Sequence, residues 1–76
     1  MNEYELRVPM DIQGPFWVTW RIESGQRVQA GQVICELETD KASIELESPH
    51  DCVIETVVES GVELKPGDVY GRVHPI

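Results

Sequence analysis

The sequence predicts an all-β fold, either a small sandwich or a barrel, assembled from two similar half-units. Three observations support this prediction. Apolar and polar residues alternate with period 2 along most of the chain, and no stretch keeps the helical period of an amphipathic helix. Glycine and proline fall between the alternating runs, where they allow the chain to turn. A segment of the sequence also recurs, at a constant offset, in the second half of the chain.

The clearest strand prediction is the run at residues 16–22. Its even-numbered residues are large and apolar, whereas Trp17, Thr19 and Arg21 occupy the odd positions, so one face should enter the core. The runs at residues 33–38 and 42–47 alternate in the same way, and the second places its alanine, isoleucine and leucine on one face. Predicted strands therefore cover residues 4–8, 16–22, 33–38, 42–47, 52–58 and 69–73.

The internal repeat is the most informative feature of the chain. Residues 23–33 and 59–69 share Glu-Ser-Gly, a second glycine and a final valine, all at an offset of 36. Val28 and Leu64 are equivalent apolar positions in the same alignment. Several matches at one offset are hard to obtain by chance, so the repeat indicates a duplicated unit.

The repeat divides the chain into half-units at roughly residues 8–40 and 44–76. Each would contain a strand, a glycine turn, a short strand, a second glycine turn and another strand. One half-unit alone could not bury its apolar face, so we expect the two, related by a pseudo-twofold axis, to close over each other. The length is enough for one domain, residues 1–76.

The composition favours a carrier or binding module over an enzyme. A chain of this size buries a thin core and has little room for the internal pocket that most enzymes need. Its net charge of −8 disfavours nucleic acid and anionic membranes as partners, because both are negatively charged. The acidity suits either transient docking on basic surfaces or simple solubility. No Ser/His/Asp or Cys/His set is evident, so no catalytic residue is assigned.

The two cysteines, Cys35 and Cys52, form no C-x-x-C motif and have no histidine at metal-ligand spacing, so no metal site is predicted. Both are expected to be reduced thiols, with Cys35 a small buried residue of a strand. His50 and His74 are expected to be ordinary surface or turn residues. The start of the sequence lacks the features of a secretory signal, and no apolar run is long enough to span a membrane.

Residues 39–42, Thr-Asp-Lys-Ala, are a compact polar link between two alternating strands and predict a hairpin turn. Asp40 is a good turn former, because its carboxylate can accept hydrogen bonds from nearby backbone N–H groups. Lys41 would then project from the tip, hydrated and free to rotate, which suits an attachment point better than a catalytic base. Turn chemistry alone would favour an ordinary solvated lysine.

Residues 38–42, Glu-Thr-Asp-Lys-Ala, resemble the lipoyl-attachment motif of the lipoyl domains in acyltransferase components of 2-oxoacid dehydrogenase complexes. The resemblance covers nearly the whole chain, since Val-Pro-Met at residues 8–10, Ser-Pro at residues 48–49 and residues 61–73 also resemble parts of that family. It implies a flattened barrel, or barrel-sandwich hybrid, of two four-stranded antiparallel sheets with pseudo-twofold symmetry. The lysine hairpin would lie at one end and the chain termini at the other.

By this resemblance Lys41 would carry lipoate in amide linkage as a swinging arm, and the domain would be a non-catalytic, monomeric carrier. The dithiolane would be acylated by a thiamin-dependent decarboxylase, pass the acyl group to coenzyme A at the acyltransferase core, and be reoxidised by dihydrolipoamide dehydrogenase. Glu38, Thr39, Asp40 and Ala42 would be recognised by the lipoylating enzymes. The expected location is the cytoplasm, or the mitochondrial matrix in a eukaryote.

Three alternatives stay open. A biotinyl carrier shares the fold, but its attachment lysine is typically flanked by methionine on both sides, whereas the neighbours here are Asp40 and Ala42. The lipoylated carrier of the glycine-cleavage system is longer than this chain. An unmodified barrel could instead serve only as an interaction adaptor. The chain also departs from the family it resembles, with Cys52 where a glycine is common and with Gly-Pro-Phe at residues 14–16 in place of an acidic loop.

Overall fold

Two antiparallel sheets of four strands each make up the structure, a computed structural model that describes residues 3–76. The strands are β1 (Tyr4–Arg7), β2 (Phe16–Trp20), β3 (Gln26–Val28), β4 (Val33–Glu38), β5 (Ser43–Glu47), β6 (Cys52–Thr56), β7 (Glu63–Leu64) and β8 (Val69–Pro75). Sheet I has the strand order β1-β8-β6-β3, and sheet II has the order β5-β4-β2-β7. No helix able to cross a membrane occurs in the described range.

The predicted all-β class and the two four-stranded antiparallel sheets are confirmed. Within residues 3–76 no ladder joins one sheet to the other, so the architecture is the sandwich form and not a closed barrel. The predicted strands are all present, and β3 and β7 are the short strands expected inside each half-unit. The bounds differ most at residues 20–22 and 56–58, where two predicted runs end early.

The repeated serines cause both early strand ends. The Trp20 N–H donates to Ser60 Oγ at 2.9 Å, and the Thr56 N–H donates to Ser24 Oγ at 3.0 Å. A side-chain acceptor thus takes the N–H group that would otherwise extend the ladder. Each serine belongs to the Glu-Ser-Gly segment of the opposite half-unit, so each half-unit ends a strand of the other.

The glycines of the same segments join the half-units reciprocally. The Gly25 N–H donates to the Ile54 carbonyl at 2.8 Å, and the Gly61 N–H donates to the Val18 carbonyl at 2.9 Å. Both glycines have positive φ, 87° and 89°, a left-handed conformation that other residues adopt only with strain. Donors and acceptors both match at the offset of the sequence repeat. The backbone hydrogen bonds therefore follow the predicted pseudo-twofold relation.

Two β-bulges interrupt the predicted alternation at equivalent positions of the half-units. The register of β4 against β5 shifts between Val33 and Cys35, so Ile34 is the extra residue, and the register of β8 against β1 shifts across Tyr70. A bulge lets consecutive residues face the same side, and Ile34 and Cys35 are both fully buried. Strict alternation along this strand was therefore wrong, whereas the predicted burial of Cys35 is confirmed.

The core lies between the inward faces of the two sheets. Phe16 and Val18 are fully buried, as predicted for their face of β2, and the rest of that face packs against the core in part. Ile44 was predicted to share one face with Ala42 and Leu46. It lies opposite the buried Leu37, yet it is 38% exposed because β5 is an edge strand. The buried apolar residues are Val8, Phe16, Val18, Val28, Ile34, Cys35, Leu37, Cys52, Ile54, Leu64, Tyr70 and Val73.

Both thiols lie in this core. Burial raises the pKa of the Cys35 thiol to about 12, so the thiol stays protonated and unreactive at neutral pH. Cys52 is fully buried, with Sγ 3.3 Å from Ser48 Oγ. The Ser48 hydroxyl also donates to the His50 carbonyl at 2.6 Å, so the turn after β5 is held by its own serine. The cysteine at this position thus serves as a core residue.

Replacing Ile54 by valine should destabilise the fold measurably. Ile54 has no exposed surface, so the lost methylene leaves a small cavity that costs about 1 kcal/mol of unfolding free energy. In a domain of this size that corresponds to a fall in Tm of roughly 4–8 °C. The matched control is Ile12→Val, whose side chain is 40% exposed. Thermal unfolding that shifted equally in both variants would contradict the assignment of the core.

His74 joins the first described residue to sheet I through two carboxylates. Its Nε2 lies 2.9 Å from Glu55 Oε1, and its Nδ1 lies 3.2 Å from Glu3 Oε1. Arg72 lies on the other oxygen of Glu55, at 3.6 Å. The hydrogen bond to Glu55, followed by that to Glu3, raises the pKa of His74 above its ordinary value. His74 is thus a surface residue, as predicted, but it also fastens the start of β1.

This histidine should make stability depend on pH. Because its pKa is raised on folding, its stabilising contribution is fully present below the unfolded value, about 6.5. The contribution is lost as pH rises through the higher folded pKa. NMR titration should show that Glu55→Gln lowers the His74 pKa more than Glu3→Gln does. Glu5→Gln, whose carboxylate pairs with Arg7, is the control and should leave the pKa unchanged. Equal effects of all three variants would contradict the cluster.

Candidate functional site

The turn between β4 and β5 is organised by one side chain, that of Thr39. The Thr39 N–H donates to the Ala42 carbonyl at 2.8 Å, which closes the turn. Its Oγ1 accepts hydrogen bonds from the Ala42 N–H at 3.0 Å and from the Lys41 N–H at 3.2 Å. The Thr39 hydroxyl also lies 3.2 Å from the Ala42 carbonyl and donates to it. The backbone on both sides of Lys41 is therefore held by threonine.

This arrangement corrects the sequence-based expectation for Asp40. Its carboxylate was expected to accept backbone hydrogen bonds in the turn, yet in the part of the chain that the structure describes Thr39 supplies that acceptor. A hydroxyl at the first turn position can reach the N–H groups two and three residues later. Asp40 is instead exposed beside Lys41, where its carboxylate is available to a partner.

Lys41 lies at the tip of the hairpin and is exposed, as predicted. Among residues 3–76 no carboxylate is placed to form an ion pair with its amine. Glu38 ends β4 and lies between its cross-strand neighbours Trp17 and Ser43, where it is half-buried. A hydrogen-bonded turn therefore presents the exposed Lys41 amine to solvent.

The outward face of sheet II, which leads to this hairpin, is strongly acidic. Glu36 and Glu45 are cross-strand neighbours, and Trp17 lies between Glu38 on one side and Glu63 on the other. Residues directly opposite each other on adjacent strands share a face. The ion pair of Glu36 with Arg21 neutralises one of these carboxylates. Among the ion pairs of residues 3–76 no other one involves these carboxylates, so most of this acidic face is uncompensated there.

Sheet I has a mixed outward face by comparison. Arg72 lies opposite both Glu5 and Glu55, and Arg27 lies opposite Val53. Cations and carboxylates alternate across these strands. The negative charge of the protein is thus concentrated on the sheet that carries Lys41.

A cleft of about 380 Å³ separates the lysine hairpin from the loop between β1 and β2. This loop, residues 8–15, has four more residues than its counterpart between β5 and β6, residues 48–51. Ile12 in this loop and Ile44 of β5 both line the cleft, and they are 40% and 38% exposed. The cleft is lined by Ile12, Gln13, Gly14, Thr39, Asp40, Lys41, Ala42 and Ile44.

The structure brings the predicted site residues together only in part. Residues 39–42 share the turn and the cleft, whereas Glu38 lies outside the cleft at the end of its strand. Ile12 and Ile44 were missed as neighbours of the lysine by the sequence analysis. A signal for Ile12 was available, because it is an apolar residue in the one loop that the 36-residue repeat does not match in length.

Comparison with known proteins agrees with this geometry. A family model described as "Biotin-requiring enzyme", the Biotin_lipoyl family, matches residues 5–72. The chain belongs to the Biotin_lipoyl family. The match includes the lysine hairpin, the cleft loop and both glycine segments of the repeat. The family resemblance stated from the sequence is therefore confirmed.

The Biotin_lipoyl chain is also similar to parts of several larger proteins. It is 28% identical over 87% of its length to the dihydrolipoyllysine-residue succinyltransferase component of the 2-oxoglutarate dehydrogenase complex of Buchnera aphidicola. It is 42% identical over 58% of its length to the acetyltransferase component of the pyruvate dehydrogenase complex of Rhizobium meliloti. A third relative is the pyruvate dehydrogenase complex protein X component of Chaetomium thermophilum, 37% identical over 54% of the chain. The matches span 16%, 10% and 9% of these proteins.

The hairpin of this Biotin_lipoyl chain fits a group attached covalently to lysine. The Lys41 amine is exposed, and the Thr39 hydrogen bonds hold the backbone on both sides of it. No group of three or more His, Cys, Asp or Glu side chains in residues 3–76 is placed to hold a metal ion. The exposed primary amine of Lys41 suits amide attachment of an acyl group.

Replacing Thr39 by valine should loosen the hairpin. The Lys41 and Ala42 N–H groups would lose their side-chain acceptor, at a cost of about 1 kcal/mol. We expect the exchange of these two amide hydrogens to accelerate roughly fivefold. Thr39→Ser, which keeps the hydroxyl, is the matched control and should exchange almost as slowly as the parent chain. Equal acceleration in both variants would show that the hydroxyl does not hold the turn.

Proposed function

We propose that this chain is a lipoyl carrier domain, with a lipoyl group in amide linkage on Lys41, in a 2-oxoacid dehydrogenase-type complex. The observation that carries the proposal is an exposed, unpaired lysine at the tip of a hairpin that Thr39 holds, in a member of the Biotin_lipoyl family. The Buchnera and Rhizobium relatives, whose names contain "dihydrolipoyllysine-residue", support lipoate as the attached group.

In the carrier role the protein presents the attached group, and the attached group carries out the chemistry. When bound, lipoate supplies the dithiolane that accepts an acyl group and electrons. Thr39 fixes the start of the arm, and the exposed Lys41 side chain lets the arm move between enzymes. Tethering raises the effective concentration of the arm at each active site. In this proposal the chain itself is a non-catalytic module.

The residues on either side of Lys41 favour lipoate over biotin. The lysine of biotinyl carriers is typically flanked by methionine, whereas Asp40 and Ala42 stand here. Lipoylating enzymes would recognise the exposed Asp40 and Ala42 together with Glu38, while Thr39 would contribute through the shape of the turn. An enzyme that modifies Lys41 must supply an activated acyl donor, because an amine does not form an amide with a free carboxylate.

The acidic outward face of sheet II suits the partners of such a carrier. These would be the lipoylating enzymes, a thiamin-dependent decarboxylase, the acyltransferase core and dihydrolipoamide dehydrogenase, in the cytoplasm or the mitochondrial matrix. Uncompensated carboxylates such as Glu45 and Glu63 would steer basic partner surfaces toward the hairpin and speed encounter more than they tighten binding. The domain would act as a monomer, because transient docking requires a free face.

Mass spectrometry tests the attachment site directly, because the chain contains only two lysines, Lys41 and Lys65. Protein purified from a lipoate-replete host should carry a lipoyl or octanoyl increment, which peptide fragmentation should place on Lys41. Lys41→Arg should abolish the increment, since a guanidinium does not form the amide. The matched control, Lys65→Arg, should remain fully modified.

The other outcomes separate the competing functions. A biotinyl increment on Lys41 would keep the carrier role and replace acyl transfer by carboxyl transfer. An unmodified chain in a host with active lipoylating enzymes would contradict the proposal and leave an interaction adaptor. Modification of Lys65 would contradict the assignment of the hairpin.

A further inference from the structure

Attachment of an arm to Lys41 does not by itself require the cleft beside this residue. Ile12 and Ile44 come from different elements, both line the cleft, and each is about two fifths exposed. One aliphatic group in the cleft could cover both isoleucines together and remove their apolar surface from water. We propose that the cleft binds the aliphatic arm carried by Lys41, which alternates between a docked and a free state. This inference rests on the proposed function.

The covalent attachment to Lys41 favours the arm over any other occupant of the cleft. Lys41 itself lines the cleft, so a chain attached to its amine begins inside the site. Binding of that chain is intramolecular and needs no free ligand, because the local concentration is set by the tether. Any apolar partner from solution would compete against this high local concentration. The occupant is therefore the arm itself.

The chemistry of the lining selects an aliphatic chain. Ile12, Ile44 and Ala42 offer methyl and methylene surface, while Gln13 and Asp40 lie among the lining residues as polar neighbours. An eight-carbon acyl chain can cover the apolar part while its amide stays hydrated. The polar ring of biotin would cover the isoleucines less well, since its hydrogen-bonding groups would lose water. The site thus fits lipoyl or octanoyl groups.

The pseudo-symmetry of the fold provides an internal comparison. Tyr4 occupies the position that the pseudo-twofold axis relates to Ile44, since Tyr4 pairs with Val73 and Ile44 pairs with Leu37, 36 residues earlier. The Tyr4 hydroxyl is bonded to His50 Nε2 at 3.0 Å, and the shorter β5–β6 loop beside it has no equivalent of Ile12. The apolar cleft thus occurs beside the lysine hairpin and the longer loop, and not at the related position.

An alkylated variant tests the cleft without the lipoylating enzymes. In Lys41→Cys, the thiolate displaces iodide from N-octyl iodoacetamide and forms a thioether at the tip. The two native cysteines, Cys35 and Cys52, are fully buried and should stay unmodified, which intact mass verifies. N-methyl iodoacetamide gives the short-chain control. We expect the octyl label, but not the methyl label, to shift the amide signals of residues 12–14 and 42–44 and to show NOEs to the Ile12 and Ile44 methyls.

Matched surface variants distinguish docking from general hydrophobic contact. Ile12→Ser with Ile44→Ser should lower the docked-to-free ratio of the octyl label roughly fivefold. The control is Val57→Ser with Val62→Ser, which removes apolar side chains of similar exposure, 43% and 42%, away from the cleft. Circular dichroism should show that both double variants fold. An equal loss in both pairs, or octyl-induced shifts confined to residues 40–42, would overturn the inference.

The same experiments separate this inference from the proposed function. If Lys41 is lipoylated in cells and the octyl label does not dock, the cleft inference alone fails. If the octyl label docks and cells leave Lys41 unmodified, the lipoyl carrier function fails, and with it the assignment of the arm as the natural occupant. Docking of the label together with lipoylation of Lys41 supports both.

Discussion

The structure depends on the reciprocal exchange of backbone hydrogen bonds between its two half-units. The Gly25 N–H reaches Ile54 in the second half, and the Gly61 N–H reaches Val18 in the first. Neither half-unit can satisfy these groups or cover its apolar face alone, so the two fold as one. The sheets, the core and the position of the lysine hairpin all follow from this mutual closure. A small chain thereby gains a defined core without a disulfide or a metal in the described residues.

The functional site adds little chemistry of its own. Lys41 is an ordinary exposed amine, and what is specific is its setting: a turn that Thr39 holds, an acidic sheet beside it and an apolar cleft next to the tip. Each part acts at a different range. The carboxylates act over a Debye length, and the turn acts on single hydrogen bonds. In the proposed function the cleft would act over the length of the attached arm, so that the three features together would control where that arm spends its time.

Much of the fold could be predicted from the sequence, because period 2 and a constant offset are properties of order along the chain. The bulges at Ile34 and Tyr70 could not be predicted. Their positions depend on the register between paired strands, and the sequence does not show which strands pair. The exposure of Ile44 had the same cause, because an edge position is a tertiary property. At the site, the exposed position of Lys41 in a hairpin turn could be predicted, because alternating strands flank residues 39–42. The acceptor of the turn's N–H groups is Thr39, whereas the sequence had predicted Asp40. Turn geometry decides which side chain reaches these groups, and composition does not determine it.

The unequal loops have a consequence for how such a fold can diversify. Both ends of the β1–β2 loop are fixed: Val8 exchanges backbone hydrogen bonds with Asp68 and Gly67, and Phe16 lies opposite Leu64 in the ladder. Lengthening a loop between fixed ends costs little free energy, because closure entropy grows only logarithmically with length. A duplicated ancestor with two equal ends could therefore specialise one of them by insertion, with the core unaltered. Loop length would then evolve almost independently of stability. It could be adjusted to the group that Lys41 is proposed to carry.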